Sequence, residues 1–289
     1  MIINRRALLV AMPAVVPVLA AWPAVADDAP SFLKDYERAT GGKIGLYAEN
    51  VSSGVTLAWR ANQRFVMCST FKASLAACML ARVDRGADRL DRTISYGRKD
   101  ILDYAPVAKE NLAKGTLSIA ELCKGAVELS DNTCANLLLK HIGGPAKLTA
   151  FWRSLGDTTS RLDHNEPELN RSPPGDPHDT TTPAAMAGNL KRLVLGNALS
   201  PSSREHLTGW LLNCKTGGNR LRSGLPKDWR IGDKTGSNGK DAAGDIAVAW
   251  TKSDVPIVIA VYTQGGKPTA ARHEQVFAAA ARWVAERLG

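Results

Sequence analysis

The stretch "WRIGDKTGS", Trp229 to Ser237, reads as a strand. It leads into two more, "DIAVAWT" at 245–251 and "PIVIAVYT" at 256–263, and then a closing amphipathic helix at 270–288. Working outward, the other end of the chain has the same ingredients. "APSFLKDYERATGG" (29–42) reads as a helix closed by Gly41 and Gly42. "KIGLYAEN" (43–50) and "GVTLAWR" (54–60) alternate like two strands of a hairpin, joined by the turn "VSSG". Strands at both ends most simply form one sheet. The expected fold is therefore α/β, an α+β sandwich with a five-stranded antiparallel sheet flanked by helices. Helices expected at 69–85, 118–128, 131–141, 145–155, 183–195 and 201–212 make an inserted all-helical lobe. The expected division is 27–60 and 213–289 for the sheet lobe and 61–212 for the helical lobe, together one unit over 27–289. The seam between lobes is a natural place for a site. "HNEPELNRSPPGDPHD", His164 to Asp179, carries four prolines and a glycine, so it reads as a long loop, and loops of this length are commonly functional.

Residues 1–26 read differently. "NRR" precedes an apolar run from Ala7 to Ala21, and "AVA" at 24–26 is a small-x-small cleavage site. The run is interrupted by Pro13 and Pro17, which suits an export signal better than a membrane span. Arg5 and Arg6 leave a twin-arginine route open. The expected mature chain is exported, periplasmic or secreted, with no membrane span and monomeric. Its charge falls from +9 to +7, because cleavage removes two arginines and no acid. The basic residues are scattered without aromatic interleaving, which argues for a solvated surface and against nucleic-acid binding. An odd number of cysteines, five, leaves at least one unpaired within the chain. Cys78 and Cys123 are candidates for one bridge, though spacing alone leaves the connectivity open. The five histidines form no i, i+4 pair and no C-x-x-C occurs, so no metal and no cofactor is expected.

Three short motifs carry chemistry. "CSTFK" places Ser69 at the head of an expected helix, where free backbone N–H groups and the helix dipole favour developing negative charge. Lys72, three residues on, lies over the same face. It can serve as a base only if burial or a second cation lowers its pKa. Lys234, in the strand "DKTGS", supplies that cation. An edge strand there can dock an extended ligand, and Gly236 would let the backbone approach it. "SDN", Ser130 to Asn132, falls between two helices: Ser130 can relay a proton, Asn132 can hydrogen-bond a carbonyl and an amine, and Asp131 suits a helix cap. Two motifs have doubles. Ser31 to Lys34 repeats S-x-x-K, and Lys215 to Gly217 repeats K-T-G after a helix, where it reads as a structural turn.

S-x-x-K, S-D-N and K-T-G in this order are much more specific together than singly. The chain resembles the class A serine β-lactamases over nearly its whole mature length, through "RFVMCSTFKASL", "SDNTCANLLL", "GGPAKLTAFWRSLGD", "RLDHNEPELN", "DTTTPAAMA", "LRSGLP" and "IGDKTGSNG". The resemblance implies the fold of serine β-lactamases and penicillin-binding transpeptidases and a β-lactam substrate. It implies that Ser69 opens the lactam and becomes acylated, with Lys72 and Glu166 sharing the base role. Ser130 would pass a proton to the leaving nitrogen and Asn132 would hold the drug's amide side chain. Backbone N–H groups of Ser69 and Ser237 would form the oxyanion hole. Lys234, Thr235 and Arg220 would hold the drug's carboxylate, Arg220 replacing a strand arginine that "DAAGDIAVAW" lacks. Tyr104 would sit at the mouth of the cleft. Glu166, with Asn170 to fix a water, would drive hydrolysis of the acyl-enzyme.

Departures from the family pattern carry expectations of their own. The arginine that commonly follows "RLD" and pairs with the aspartate ending the loop is His164 here, facing Asp179. A histidine pairs fully only when protonated, which implies a looser loop and room for bulkier cephalosporins. Cys68 matches a cysteine that carbapenem-hydrolysing members bridge to the position of Asn238, so that bridge is absent. Cys123 matches a bridged position whose usual partner is Ala76 here. A D-alanyl-D-alanine carboxypeptidase is disfavoured by Glu166 and Asn170, and an acylated sensor by the absence of a span or signalling domain. An α/β-hydrolase esterase is excluded because no G-x-S-x-G occurs.

Overall fold

The structure is a computed structural model and describes residues 30–171, 173 and 175–289. The expected export segment, 1–26, lies outside them. The chain opens with α1 (Ser31–Thr40), ended by Gly41 in the left-handed region, then β1 (Lys43–Asn50) and β2 (Thr56–Trp59). β3 (Phe65–Val66) leads through a 3-10 turn, Cys68–Thr70, into α2 (Phe71–Asp84). β4 (Thr93–Ser95), α3 (Pro106–Glu110), β5 (Thr116–Ser118), α4 (Ile119–Glu128), α5 (Asn132–Ile142) and α6 (Pro145–Ser154) follow. Beyond the long loop come β6 (Thr180–Thr181), α7 (Pro183–Val194), α8 (Pro201–Leu212) and α9 (Leu221–Gly224). β7 (Arg230–Ser237), β8 (Ala242–Trp250), β9 (Pro256–Gln264) and α10 (Ala270–Leu288) complete the chain.

β2-β1-β9-β8-β7 form one antiparallel five-stranded sheet, as the strands at the two ends of the sequence required. Its middle strands are buried on both faces, which explains why they are nearly all apolar. On β9, Ile257, Ile259 and Val261 face α1 and α10, alongside Leu33 and Phe277. Val258, Ala260 and Tyr262 face the helical side with Phe65, Phe71 and Leu75. α2 runs through that second core with every residue from Phe71 to Ala81 buried, so it is apolar all round save for Lys72 and Ser74.

The elements missed from sequence are the shortest: β3–β6, β4–β5, α3 and α9. Strands of two or three residues show no period to read. Asp131 caps α5 as expected, accepting from Cys134 N at 2.8 Å. All five cysteines are free thiols, so the candidate Cys78–Cys123 bridge is not formed. Both thiols are buried in the same core and stay unpaired.

Candidate active site

Ser69 sits in the 3-10 turn Cys68–Thr70, and the α-helix expected to start at Ser69 starts two residues later, at Phe71. Cys68 before it holds φ 44° and Ser130 holds φ 59°, two left-handed non-glycine residues beside one cleft. Backbone strain of this kind persists where surrounding packing over-determines it. Gly236 explains part of that packing. A Cβ there would lie 2.9 Å from both Ser69 N and Met67 O, so the glycine admits the serine's own turn rather than a ligand, as the sequence had suggested. β7 is the edge of the sheet, which leaves one side of its backbone towards the cleft.

The cleft holds about 330 Å³ and is lined by Ser69, Tyr104, Ser130, Asn132, Glu166 and Asn170 on one side. Thr216, Arg220, Thr235, Gly236, Ser237 and Gly239 line the other. Lys72 and Lys234 lie beneath it, both fully buried. Every site residue expected from sequence is thus brought together. Ser69 Oγ donates to Glu166 Oε1 at 3.1 Å, and Lys72 Nζ lies 3.0 Å from the same oxygen. Lys72 also donates to Asn132 Oδ1 (2.5 Å) and Ser130 O (2.8 Å). Burial holds its pKa below the ordinary lysine value, and the neighbouring Glu166 charge works the other way. Glu166 Oε2 accepts from Asn170 Nδ2 at 2.6 Å, while the buried Asn170 Oδ1 has no protein partner. Asn136 grips the Glu166 backbone from both ends, Oδ1 accepting its N–H (2.9 Å) and Nδ2 donating to its carbonyl (2.8 Å).

Lys234 Nζ donates to Ser130 Oγ (3.0 Å) and Thr235 O (2.7 Å). Its pKa is pushed down to about 8, first by burial. Arg220 Nη1 donates to Gly236 O and Gly244 O, each at 2.8 Å, which ties it across β7 and β8. Thr216 belongs to the first K-T-G, Lys215 to Gly217, which reads from sequence as a structural turn. Its hydroxyl meets Thr235 Oγ1 at 2.5 Å, so that turn does line the cleft. Gly239 was also missed, and nothing in a lone glycine of a polar turn announces it.

The neck of the loop carries the pairing that the His164 departure puts in question. His164 Nδ1 lies 2.6 Å from Asp179 Oδ2, and Asp179 Oδ1 accepts the N–H groups of Asp163 (2.7 Å) and His164 (3.0 Å). Asp163 in turn accepts from Asp179 N and from Arg161. The hydrogen bond to Asp179 raises the His164 pKa, so the histidine makes the contact assigned to an arginine.

The Beta-lactamase enzyme family matches residues 29–288. The chain belongs to the class A serine β-lactamases. It is 47% identical over 254 residues to a carbapenem-hydrolysing β-lactamase, KPC, of Klebsiella oxytoca, covering 88% of this chain and 86% of that one. It is 42% identical to the β-lactamase Toho-1 of Escherichia coli, covering 97% of each. Among solved structures, an ancestral class A β-lactamase superposes with a TM-score of 0.85 at 52% identity, covering 89% of this chain and 98% of that one. As a class A β-lactamase, the protein hydrolyses β-lactams through a serine acyl-enzyme.

Proposed function

We propose the following division of labour for the β-lactamase reaction. Ser69 attacks the lactam carbonyl and gives its proton to Glu166, the carboxylate its hydroxyl already addresses at 3.1 Å. Lys72 stabilises that carboxylate and the developing charge, since its ammonium bridges Glu166, Asn132 and Ser130. Ser130 protonates the leaving nitrogen. An ammonium only donates, so Lys234 leaves the Ser130 hydrogen free to point into the cleft. Asn132 Oδ1 is engaged by Lys72, which leaves Nδ2 to donate to the amide carbonyl of the drug. Ser69 N and Ser237 N receive the oxyanion; Lys234, Thr235 and Arg220 receive the carboxylate; Tyr104 borders the mouth.

Deacylation decides turnover. Glu166 activates a water that Asn170 Oδ1, a buried acceptor with no protein partner, helps to hold. The observation that carries this reading is the shared contact of Ser69 and Lys72 with one oxygen of Glu166, with Asn170 on the other. The test pairs chromogenic cephalosporin turnover with intact-mass spectrometry on wild type and Glu166→Gln. Wild type should turn over many times without a lasting adduct. In the variant Lys72, freed from the carboxylate charge, takes over as base for acylation but not for the water, so the variant should hold one drug per chain and lose roughly 10²–10⁴ in steady rate. A variant that clears penicillin at the wild-type rate would refute the assignment.

The substrates assigned are penicillins and cephalosporins. A relative is named carbapenem-hydrolysing, but the Cys68 thiol here is buried and free, and Asn238 offers it no partner. We assign 1–26 to an export signal, by a twin-arginine or general route, and 27–289 to one monomeric catalytic unit in the periplasm or outside the cell. Among the described residues, no helix is long and apolar enough to cross a membrane.

A further inference from the structure

Asp233 and Asp245 are both fully buried, and the mechanism uses neither. They share one face of the β7–β8 pair: Asp245 stands opposite Thr235, and Asp233 one diagonal step away, opposite Ala247. That face lies under the segment that runs from Cys214 to Arg222. Arg222 Nε donates to Asp233 Oδ1, and Leu221 N donates to Asp245 Oδ2 at 3.1 Å. Gly217 presses so closely on Asp233 that a Cβ there would lie 1.9 Å from Oδ2. Among the described residues no N–H or O–H group reaches Oδ2 of Asp233 or Oδ1 of Asp245, both buried, and only the weakly donating Cys214 thiol lies against Asp233. Two adjacent buried carboxylates, each with an unsatisfied oxygen, are an expensive arrangement.

We propose that Asp233 and Asp245 share a single proton in the folded enzyme, and that this acid pair docks the segment carrying Thr216 and Arg220 against the floor of the cleft. One proton satisfies both orphan atoms: the Asp245 hydroxyl donates and Asp233 Oδ2 accepts. Asp233 keeps the charge because Arg222 faces it, and Asp245 takes the proton because no cation bonds to it. The other titratable or charged neighbours are the Cys214 thiol, Arg220 and Lys234. Burial raises the pKa of both acids, and the Asp233 charge raises that of Asp245 further, in the direction the geometry requires. The two acids are positioning residues, acting on substrate through Thr216 and Arg220.

Only the step from docking to substrate affinity rests on the role given to Arg220 above. The protonation itself is read by infrared spectroscopy at neutral pH. A protonated-carboxyl stretch should be present in wild type and in Glu128→Gln, and missing from Asp245→Asn; its absence from wild type overturns the shared proton. Thermal stability gives a second reading. A carboxyl whose folded pKa is raised takes up a proton on folding above pH 4 or so, so its contribution falls as pH rises, by up to about tenfold in the folding constant per pH unit. Asp245→Asn donates permanently, so its stability relative to wild type should grow from about pH 5 to about pH 8. A pH-independent difference overturns the proposal. Asp245→Ala, which removes both the donor and the Leu221 acceptor, should raise KM several-fold for a penicillin and leave kcat close to wild type. An unchanged KM with the infrared band intact overturns the docking role alone.

Discussion

Lys72 and Lys234 are fully buried ammonium groups, and each is held in place by different means. Burial lowers the pKa of Lys72, and Glu166, 3.0 Å away, works against that shift. Among the described residues no carboxylate lies at that distance from Lys234, and its pKa is pushed down to about 8 by burial, with Lys72 adding to the effect. A lysine is cationic below its pKa and neutral above it. The carboxylate of a penicillin should therefore lose its main partner as pH rises through about 8. KM should climb above that point, approaching tenfold per pH unit or so, while kcat changes less. Lys234→Arg should move the climb out of range, because a guanidinium stays charged. Measuring KM and kcat across the alkaline range checks it; a KM that is flat past pH 9 or so would rule out this role for Lys234.

The loop from Arg161 to Asp179 is the element on which the proposed turnover depends, because it carries Glu166 and Asn170. Its neck is closed by His164 and Asp179, with the His178 ring 5.9 Å from His164 and edge-on to it. The folded pKa of His164 is raised, so the stabilisation is complete below the unfolded value near 6.5 and is lost as pH rises through the folded value. His164 is half-exposed, so solvent screening keeps the effect small. His164→Arg should match wild type in melting temperature below about pH 6 and exceed it at alkaline pH. Its cephalosporin turnover should also become less dependent on pH. Melting curves at three pH values check the first part; a constant offset would mean that the histidine's charge does not hold the neck.

At the scale of the molecule, one sheet separates two cores, and the cleft is built where helices on one face meet the edge strand β7. Close packing between the layers is visible at Gly45 on β1. A Cβ there would come 2.4 Å from Phe65 Cε2 and 2.9 Å from Pro183 Cγ. Gly45→Ala should therefore cost about 1–3 kcal/mol, since neither the fully buried phenylalanine nor the proline can move freely. In a chain of this size that lowers the melting temperature by roughly 2–4 °C per kcal/mol. Activity well below the transition should be close to wild type, because Gly45 touches no group lining the cleft.

Much of this was legible in the sequence because its signals are local. Strand alternation, helix caps such as Asp131 and proline in the loop are written in adjacent residues, and the three motifs keep their spacing whatever surrounds them. The same logic points to Ser69, Ser130, Glu166 and Lys234, which the fold gathers at one cleft. What distant segments do to one another was not written locally. The first K-T-G joined the cleft through Thr216 because β7 happens to pass beneath it. Gly236 serves the Ser69 turn, His164 finds Asp179 across the neck, and Cys78 and Cys123 stay free thiols. Two ordinary aspartates became a buried pair because β7 and β8 align them. Motif order alone determined the reaction class, since the required functional groups are fixed by chemistry. Burial and cross-chain distance decided protonation, and both exist only once the sheet has closed.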